Sequence, residues 1–364
     1  MKGFRDSILE INENALRHNL NYFASKISKE AGLILVLKAN SYGAGAVNIA
    51  QLFEEESHVE YYAVASISEG VELRNNEIKK PIMILSPEGS QFRTAINNQL
   101  ESVIISVDHL KKYLQEVKPN EQIDVHLNFD SGMHRVGFKP NEINELTVLL
   151  NEHKNVTVAS VFSHYSSSGD KQFDEFTKTQ SDTFKTMYTE LCLRLDYYPK
   201  THQNNSDGIE RFGQDGNNLH RLGIGLYGLS EENAKLQNIF TWKTKVSHIQ
   251  WVEKGESVSY NRSWIAPKRS KIVSCFVGYA DSLNRRLSNG KWAFKFGEKR
   301  IPIVGDICMD LTMLDASEID VEIGDDLIIL NSIKDIETMA DQLNTISYEI
   351  LTSFSPRTTR IYLG

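Results

Sequence analysis

Cysteine is scarce in this chain and odd in number: Cys192, Cys275 and Cys308 are scattered, with no CxxC spacing. That excludes a disulfide framework and reads as a reduced, cytoplasmic protein. Long apolar runs are missing as well. No stretch approaches the ~18 consecutive apolar residues that span a bilayer. The opening "MKGFRDSILEINENALRHNL" carries charge where a signal peptide would be apolar. No basic block occurs, and 40 basic against 48 acidic side chains leave a net charge of −8, which argues against nucleic-acid binding as the main task. The ten histidines show neither HExxH nor any paired-ligand spacing, so no metal site is expected. Low-complexity tracts are absent, and with 40% apolar residues in 364 the chain can bury a sizeable core as two domains, or as one barrel with an attachment.

Order comes from alternation. "NENALRHNLNYFASKI" places Leu16, Leu20, Phe23 and Ile27 on one helical face, with Asn12 or Asn14 as N-cap. Eight short apolar runs follow, at 33–38, 61–66, 81–86, 102–107, 123–128, 156–164, 197–203 and 221–227. Amphipathic stretches such as "AVNIAQLFEEE", "SEGVELRNN", "VDHLKKYLQEV" and "NEINELTVLLNEH" separate most of them. Eight strands alternating with helices predict an α/β fold, a (β/α)8 TIM barrel over 11–237. From 238 to 364 the texture changes to short β-type runs between Gly-containing turns, with a helical tract from about Ile336 to Ser353. This predicts a C-terminal mostly-β domain, to which "SILEIN" in residues 1–10 adds a strand.

Barrel chemistry sits at the carboxyl ends of the strands. Lys38 ends the first predicted strand after Leu33, Ile34, Leu35, Val36 and Leu37, with Tyr42, Gly43 and Gly45 directly after it. Asn128 ends the fifth, with Arg135 just beyond; His164 ends the sixth; Asn204, Asn205 and Ser206 follow the seventh; Arg221 begins the eighth, which runs into "GIGLYG". Those last two loops are the usual phosphate site of such barrels. "GIGLYG" matches GxGxxG but falls in the last unit with no ribose acid following, so a cradle for a single phosphate fits better than a dinucleotide site. A lysine beside a phosphate cradle points to pyridoxal 5'-phosphate held through a Schiff base. Taken singly, His164 reads more readily as a satisfied core histidine, and Tyr260 as an ordinary sheet tyrosine.

The motif "LVLKANSYGAG" resembles the pyridoxal-phosphate motif of alanine racemases. "LNFDSGMHRVG", "VFSHYSSSGD", "NNSDG", "RLGIGLYG", "ESVSYNR", "VGYADS", "GDICMD" and "TISYEILTSFSPRTTRIY" recur in the family's order across essentially the whole chain. The resemblance implies a barrel plus a C-terminal β domain, a homodimer with active sites shared between chains, and interconversion of L- and D-alanine, in the family usually for the bacterial cell wall. It implies Lys38 and the partner chain's Tyr260 as two bases on opposite faces of the cofactor. Free lysine and tyrosine titrate near ~10.4 and ~10, so nearby positive charge is expected to lower both. His164 and Arg221 match a pair linking that tyrosine to the cofactor, with Arg221 at the pyridine nitrogen. Tyr42, Asn205, Ser206, Gly223, Ile224 and Tyr348 match the family's cofactor contacts, mostly to phosphate. Arg135, Met309, Asp310 and Tyr279 match the substrate pocket and its approach.

Four positions depart from the family pattern. Asn128 stands where many members carry a carbamylated lysine that orients the arginine. Asp306 replaces an arginine of the approach corridor, Ser282 replaces a glycine at a turn, and the loop at Asp170 is one residue longer. These bear on substrate range, so a racemase for serine or a larger amino acid stays open beside alanine. Barrel-type decarboxylases share the lysine but place a carboxylate where Arg221 stands. A small cofactor-binding barrel would lack everything after about residue 238.

Overall fold

Each of the eight apolar runs holds a parallel strand: Gly32–Val36, Val59–Val64, Ile82–Ile84, Glu101–Ile104, Ile123–Asn128, Val156–Phe162, Lys200–His202 and Leu219–Leu222. They pair in sequence order, except that Gly32–Val36 also pairs with Leu219–Leu222. Between the seventh and eighth strands the Arg221 N–H donates to the Asn204 carbonyl at 3.1 Å. The result is a (β/α)8 barrel, nearly closed. The computed structural model describes residues 6–230, 232 and 235–364, and the chain divides into two units. The barrel unit comprises His18–Ser41 and Gly45–Leu236. The second comprises the described residues up to Arg17, Tyr42–Ala44 and Gln237–Gly364.

Barrel helices form where caps and apolar spacing agree. In Val107–Glu116, Ser106 Oγ accepts the His109 N–H, and Val107, Leu110, Tyr113 and Leu114 are buried on one stripe. That stripe joins Phe92, Phe129, Phe138, Phe184 and Leu146 in the layer between strands and helices. Asn12 is the N-cap of Glu13–Ala24, its Oδ1 accepting the Ala15 N–H at 2.9 Å. The longest helix, Asp174–Leu195, follows the sixth strand.

The second unit is mostly β. Its central strand, Phe240–Val252, buries Phe240, Trp242, Thr244 and Val246 and turns Thr241, Lys243 and Lys245 outward, the period of two that a half-buried strand requires. Ile8–Asn12 lies beside it, antiparallel to Phe240–Val252 and parallel to Thr359–Leu363. Trp242 meets Phe354 edge to face, with centroids 5.4 Å apart. The helical tract is two helices, Ile333–Leu343 and Ser347–Thr352.

Two expected strand ends need correction. The first strand stops at Val36, and Lys38 opens a separate turn, Lys38–Tyr42. Arg221 is the third residue of the eighth strand, not its first, and Ile224–Tyr227 within "GIGLYG" is a 3-10 turn. In both places a short apolar run continues past the strand because the turn after it is buried too, and composition does not separate the two.

Candidate active site

The turn carrying Lys38 is left-handed. Ala39, Asn40, Ser41 and Tyr42 have φ of 53°, 52°, 56° and 51°, a conformation costing roughly 1–2 kcal/mol per L-residue. Side chains hold it there. Asn40 Oδ1 accepts the Ala46 N–H at 2.9 Å. Ser41 Oγ lies 2.7 Å from the Tyr227 hydroxyl, and the Ala39 N–H donates to Glu69 Oε1 at 2.7 Å. Glu69 is also the acid of the capping box that starts helix Ile67–Asn75, its Oε2 accepting from Ala65 and Ser66. The S-x-x-E spacing at 66–69 signals the cap; nothing in it signals the reach to Ala39.

Lys38 is half-buried, and burial lowers its pKa below the ordinary lysine value. The charges of Arg135 and Arg221 lower it further, and Glu69 alone opposes them. Burial, the factor left out of the sequence argument, is the largest cause. Tyr42 is buried in the second unit, its hydroxyl pushed up to about 12, with its ring 6.1 Å from that of Tyr348.

Arg221 is nearly fully buried and held on several sides. Nη2 donates to the Ser163 and Gln203 carbonyls, both at 2.8 Å, and lies 3.0 Å from His164 Nδ1. Nη1 donates to the His202 carbonyl at 3.2 Å and, more closely, to His202 Nδ1. Phe162 stacks on His202 and faces the guanidinium 5.1 Å away. Nε is the one guanidinium nitrogen that donates to no described residue. Burial and then Arg135 push Arg221 down to about 9, which leaves it a cation at neutral pH. Because arginine only donates, Nδ1 of both histidines must accept. Both rings are correspondingly lowered well below the usual histidine range, first by burial and then by Arg221.

Across the mouth, Ser206 Oγ accepts the N–H groups of Gly223 and Gly225, each at 3.1 Å, with Ile224 between them. Gly225 must be glycine, since a Cβ there would stand 2.3 Å from the Phe23 ring. Asn205 Oδ1 accepts from Gly208 N–H at 2.9 Å and from Ser168 Oγ at 2.8 Å. Arg135 is exposed on a loop organised by Asp130, which accepts the Gly132 and His134 N–H groups. Asn128 is buried at its strand end. Asp170 caps Lys171–Phe173, taking the Gln172 N–H at 3.0 Å.

The remaining candidate residues lie in the second unit and are largely exposed: Tyr260 65%, Met309 53%, Tyr279 42% and Tyr348 42%. Tyr260 tops a small hairpin, Ser257–Val258 with Trp264–Ile265. Ser259 Oγ donates to the Asp306 carbonyl at 2.7 Å, and the Asp306 N–H donates to Ser263 Oγ at 3.1 Å. Gly305 permits that approach, since a Cβ would stand 2.4 Å from Ser259 Cβ. Met309 offers its carbonyl to the Ala280 N–H at 3.1 Å. Asp310 is ion-paired with Arg357, and Asp306 with Arg285 at 2.8 Å and Asn289 at 3.1 Å. Arg285 is thus a partner rather than part of a merely solvated turn.

Lys38, Arg135 and Arg221 form a cationic group facing one nearby acid, Glu69, and beside them stands a cradle of hydroxyl and amide donors. Such a donor set suits an anion and also offers an amine for covalent attachment. Among the described residues, no group of three or more His, Cys, Asp or Glu is arranged to hold a metal, and no helix is long and apolar enough to cross a membrane.

Fold and site together define an enzyme class: a barrel with an amine at a strand end, a buried guanidinium and an anion cradle. The N-terminal domain model of alanine racemases matches residues 11–231 and the C-terminal domain model matches 239–362. The chain is 33% identical over 379 residues to an alanine racemase of Citrifermentans bemidjiense, covering 99% of each. It is similar to the solved alanine racemase of Clostridium difficile 630, with a TM-score of 0.92 and 31% identity over 98% of this chain and 96% of that one. A Bartonella henselae alanine racemase solved with covalently bound pyridoxal phosphate has a TM-score of 0.86 at 25% identity, over 98% and 99%. The chain belongs to the alanine racemase family, a family of isomerases.

Proposed function

We propose that this protein interconverts L- and D-alanine with pyridoxal 5'-phosphate, using Lys38 and Tyr260 of the partner subunit as its two bases. The observation that carries the reading is the meeting of Lys38, Arg221 and the Ser206–Gly223–Ile224 cradle at the carboxyl ends of the barrel strands. Bound there, the cofactor would supply an electron sink that acidifies the α-proton of an amino acid. Lys38 Nζ, neutral more readily than an exposed lysine, would both attach the cofactor and take or return a proton on one face. Arg221, a cation with Nε available, would face the pyridine nitrogen without giving it a proton and so limit side reactions. His164, whose Nδ1 accepts from Arg221, has its proton on Nε2 and can direct it to the second base. Ser206, Asn205, Gly223, Ile224, Tyr42 and Tyr348 would hold the cofactor; Arg135, Met309, Asp310 and Tyr279 would receive the amino acid.

Tyr260, Tyr279, Met309 and Tyr348 are aromatic or apolar yet exposed in the single chain, which supports a homodimer that covers them and shares its sites. Alanine is favoured over a basic substrate because the Asp306 carboxylate is already engaged by Arg285 and Asn289. The test is a chiral assay of the cofactor-loaded protein with L-alanine, L-serine, L-lysine and L-arginine offered separately. D-alanine should form well ahead of the others, and Lys38→Ala should lose at least ~10²-fold of it. Faster D-serine or a basic D-amino acid would overturn the substrate, and no D-product at all would overturn the reaction.

A further inference from the structure

Side chains from five consecutive barrel strands form an unbroken hydrogen-bonded column through the barrel interior. It starts where Arg221 Nη1 donates to His202 Nδ1. His202 Nε2 lies 3.0 Å from Ser160 Oγ, which lies 2.7 Å from His126 Nδ1. His126 Nε2 in turn lies 2.9 Å from Glu101 Oε2. Arg221, His202, Ser160 and His126 are 5%, 0%, 1% and 0% exposed, whereas the Glu101 side chain is 18% exposed. Strand register explains the path: Val103 lies opposite His126, His126 opposite Ser160, and Phe162 opposite His202, so each step crosses one strand.

Donor and acceptor counting gives the column one direction. Arg221 only donates, so the His202 proton sits on Nε2 and points at Ser160 Oγ. The Ser160 hydroxyl proton then has His126 Nδ1 as its acceptor in the column. His126 must therefore carry its own proton on Nε2 and donate it to an ionised Glu101. Were His126 protonated on Nδ1 instead, two N–H groups would converge on Ser160 and the hydroxyl proton would lose its acceptor, a costly arrangement in a dry interior. Asp124, whose carboxyl is pushed up by burial and then by the Glu101 charge, is the neighbour that takes a proton in place of Glu101. Tyr61 closes the other side, edge-on to His126 at 5.5 Å.

We propose that Glu101 is a positioning residue for Arg221: acting through His126, Ser160 and His202, it sets the tautomers that hold the guanidinium with Nε open to a ligand. The tautomer order stands on the column alone; its consequence for the cofactor rests on the function proposed above.

The test is two-bond proton–nitrogen correlation on full-length protein with labelled histidine, with and without pyridoxal phosphate, with His202→Gln and His126→Gln assigning the two rings. Both should carry their proton on Nε2 at neutral pH. Glu101→Gln, whose amide can donate to His126 Nε2, should shift both rings toward Nδ1–H and weaken pyridoxal phosphate binding on the order of tenfold. Glu101→Asp should restore Nε2–H. If Glu101→Gln does not fold, Glu101→Ala admits water and should leave His126 a mixture of tautomers. A wild-type His202 with Nδ1–H, or tautomers unmoved by any Glu101 variant, would overturn the proposal. Wild-type protein with the expected tautomers that binds no pyridoxal phosphate would support the column and overturn the function.

Discussion

Two turns in this molecule carry runs of left-handed residues, and they are held in different ways. The Lys38 turn places Ala39, Asn40, Ser41 and Tyr42 at positive φ; the Tyr260 turn does so with Ser259, Asn261 and Arg262. The first is fastened by Glu69, Asn40 and Ser41 from within the barrel unit, and its amine is shifted by burial and by two arginines. The second is fastened at its base to residues 305–306, while its tyrosine stands 65% exposed. Strain of this kind persists only where surroundings over-determine it. The barrel turn has its surroundings within the unit that carries it. The hairpin turn has them only beneath its base, as a reagent awaiting a partner surface would.

The comparison breaks most sharply at Tyr260. Tyr260→Phe should keep α-proton exchange from one alanine enantiomer and lose about 10²–10⁴-fold from the other, read by deuterium incorporation; equal losses would sink the two-base assignment. Full activity in a proven monomer would likewise end the idea that this tyrosine works in a neighbour's site.

Acid tests the barrel turn's surroundings next. His164, His202 and His220 all have folded pKa values depressed by burial, His220 to about 4. The unfolded chain therefore binds protons that the folded one does not, once the pH drops below ~6.5. Their stabilisation is complete above that pH and should be lost below it at about 1.4 kcal/mol per pH unit for each ring. Denaturant midpoints at pH 7, 6 and 5 measure it, and a flat profile would contradict neutral buried rings.

Glu69→Ala should cost about 1–3 kcal/mol by leaving backbone donors of Ala39, Ala65 and Ser66 without their carboxylate. It also removes the one charge that raises the Lys38 pKa, so cofactor attachment, followed by absorbance against pH, should reach its midpoint at lower pH. A midpoint moved upward would show that Glu69 does not act on Lys38 by charge. The smallest effect belongs to the second unit. Ser282 sits at φ 91°, and its hydroxyl donates to the Ser353 carbonyl and accepts the Ser355 N–H, both at 2.7 Å. Ser282→Ala should therefore cost about 1 kcal/mol, with Ser282→Gly recovering part of it by relieving the backbone.

Much of the barrel was readable in advance because a buried strand needs a short apolar run and a helix needs a stripe. Strand ends were less readable: Leu37 belongs to a turn and "GIGLY" to a 3-10 segment, yet both are as apolar as the strands before them. Asp306 looked like a reversed charge in an approach corridor, and its pairing with Arg285, 21 residues earlier, left no local mark.

By itself the sequence determined the alternation that makes a barrel, the lysine and glycines at its mouth, and the family. These depend on residue type at short spacing, which local periodicity and turn chemistry record. Only the tertiary structure decided that Lys38 sits in a left-handed turn tied to Glu69, that Arg221 stands at the head of a column reaching Glu101, and which way its protons point. Those features join residues 30 to 120 positions apart, and hydrogen-bond direction belongs to the assembled network, not to any residue within it.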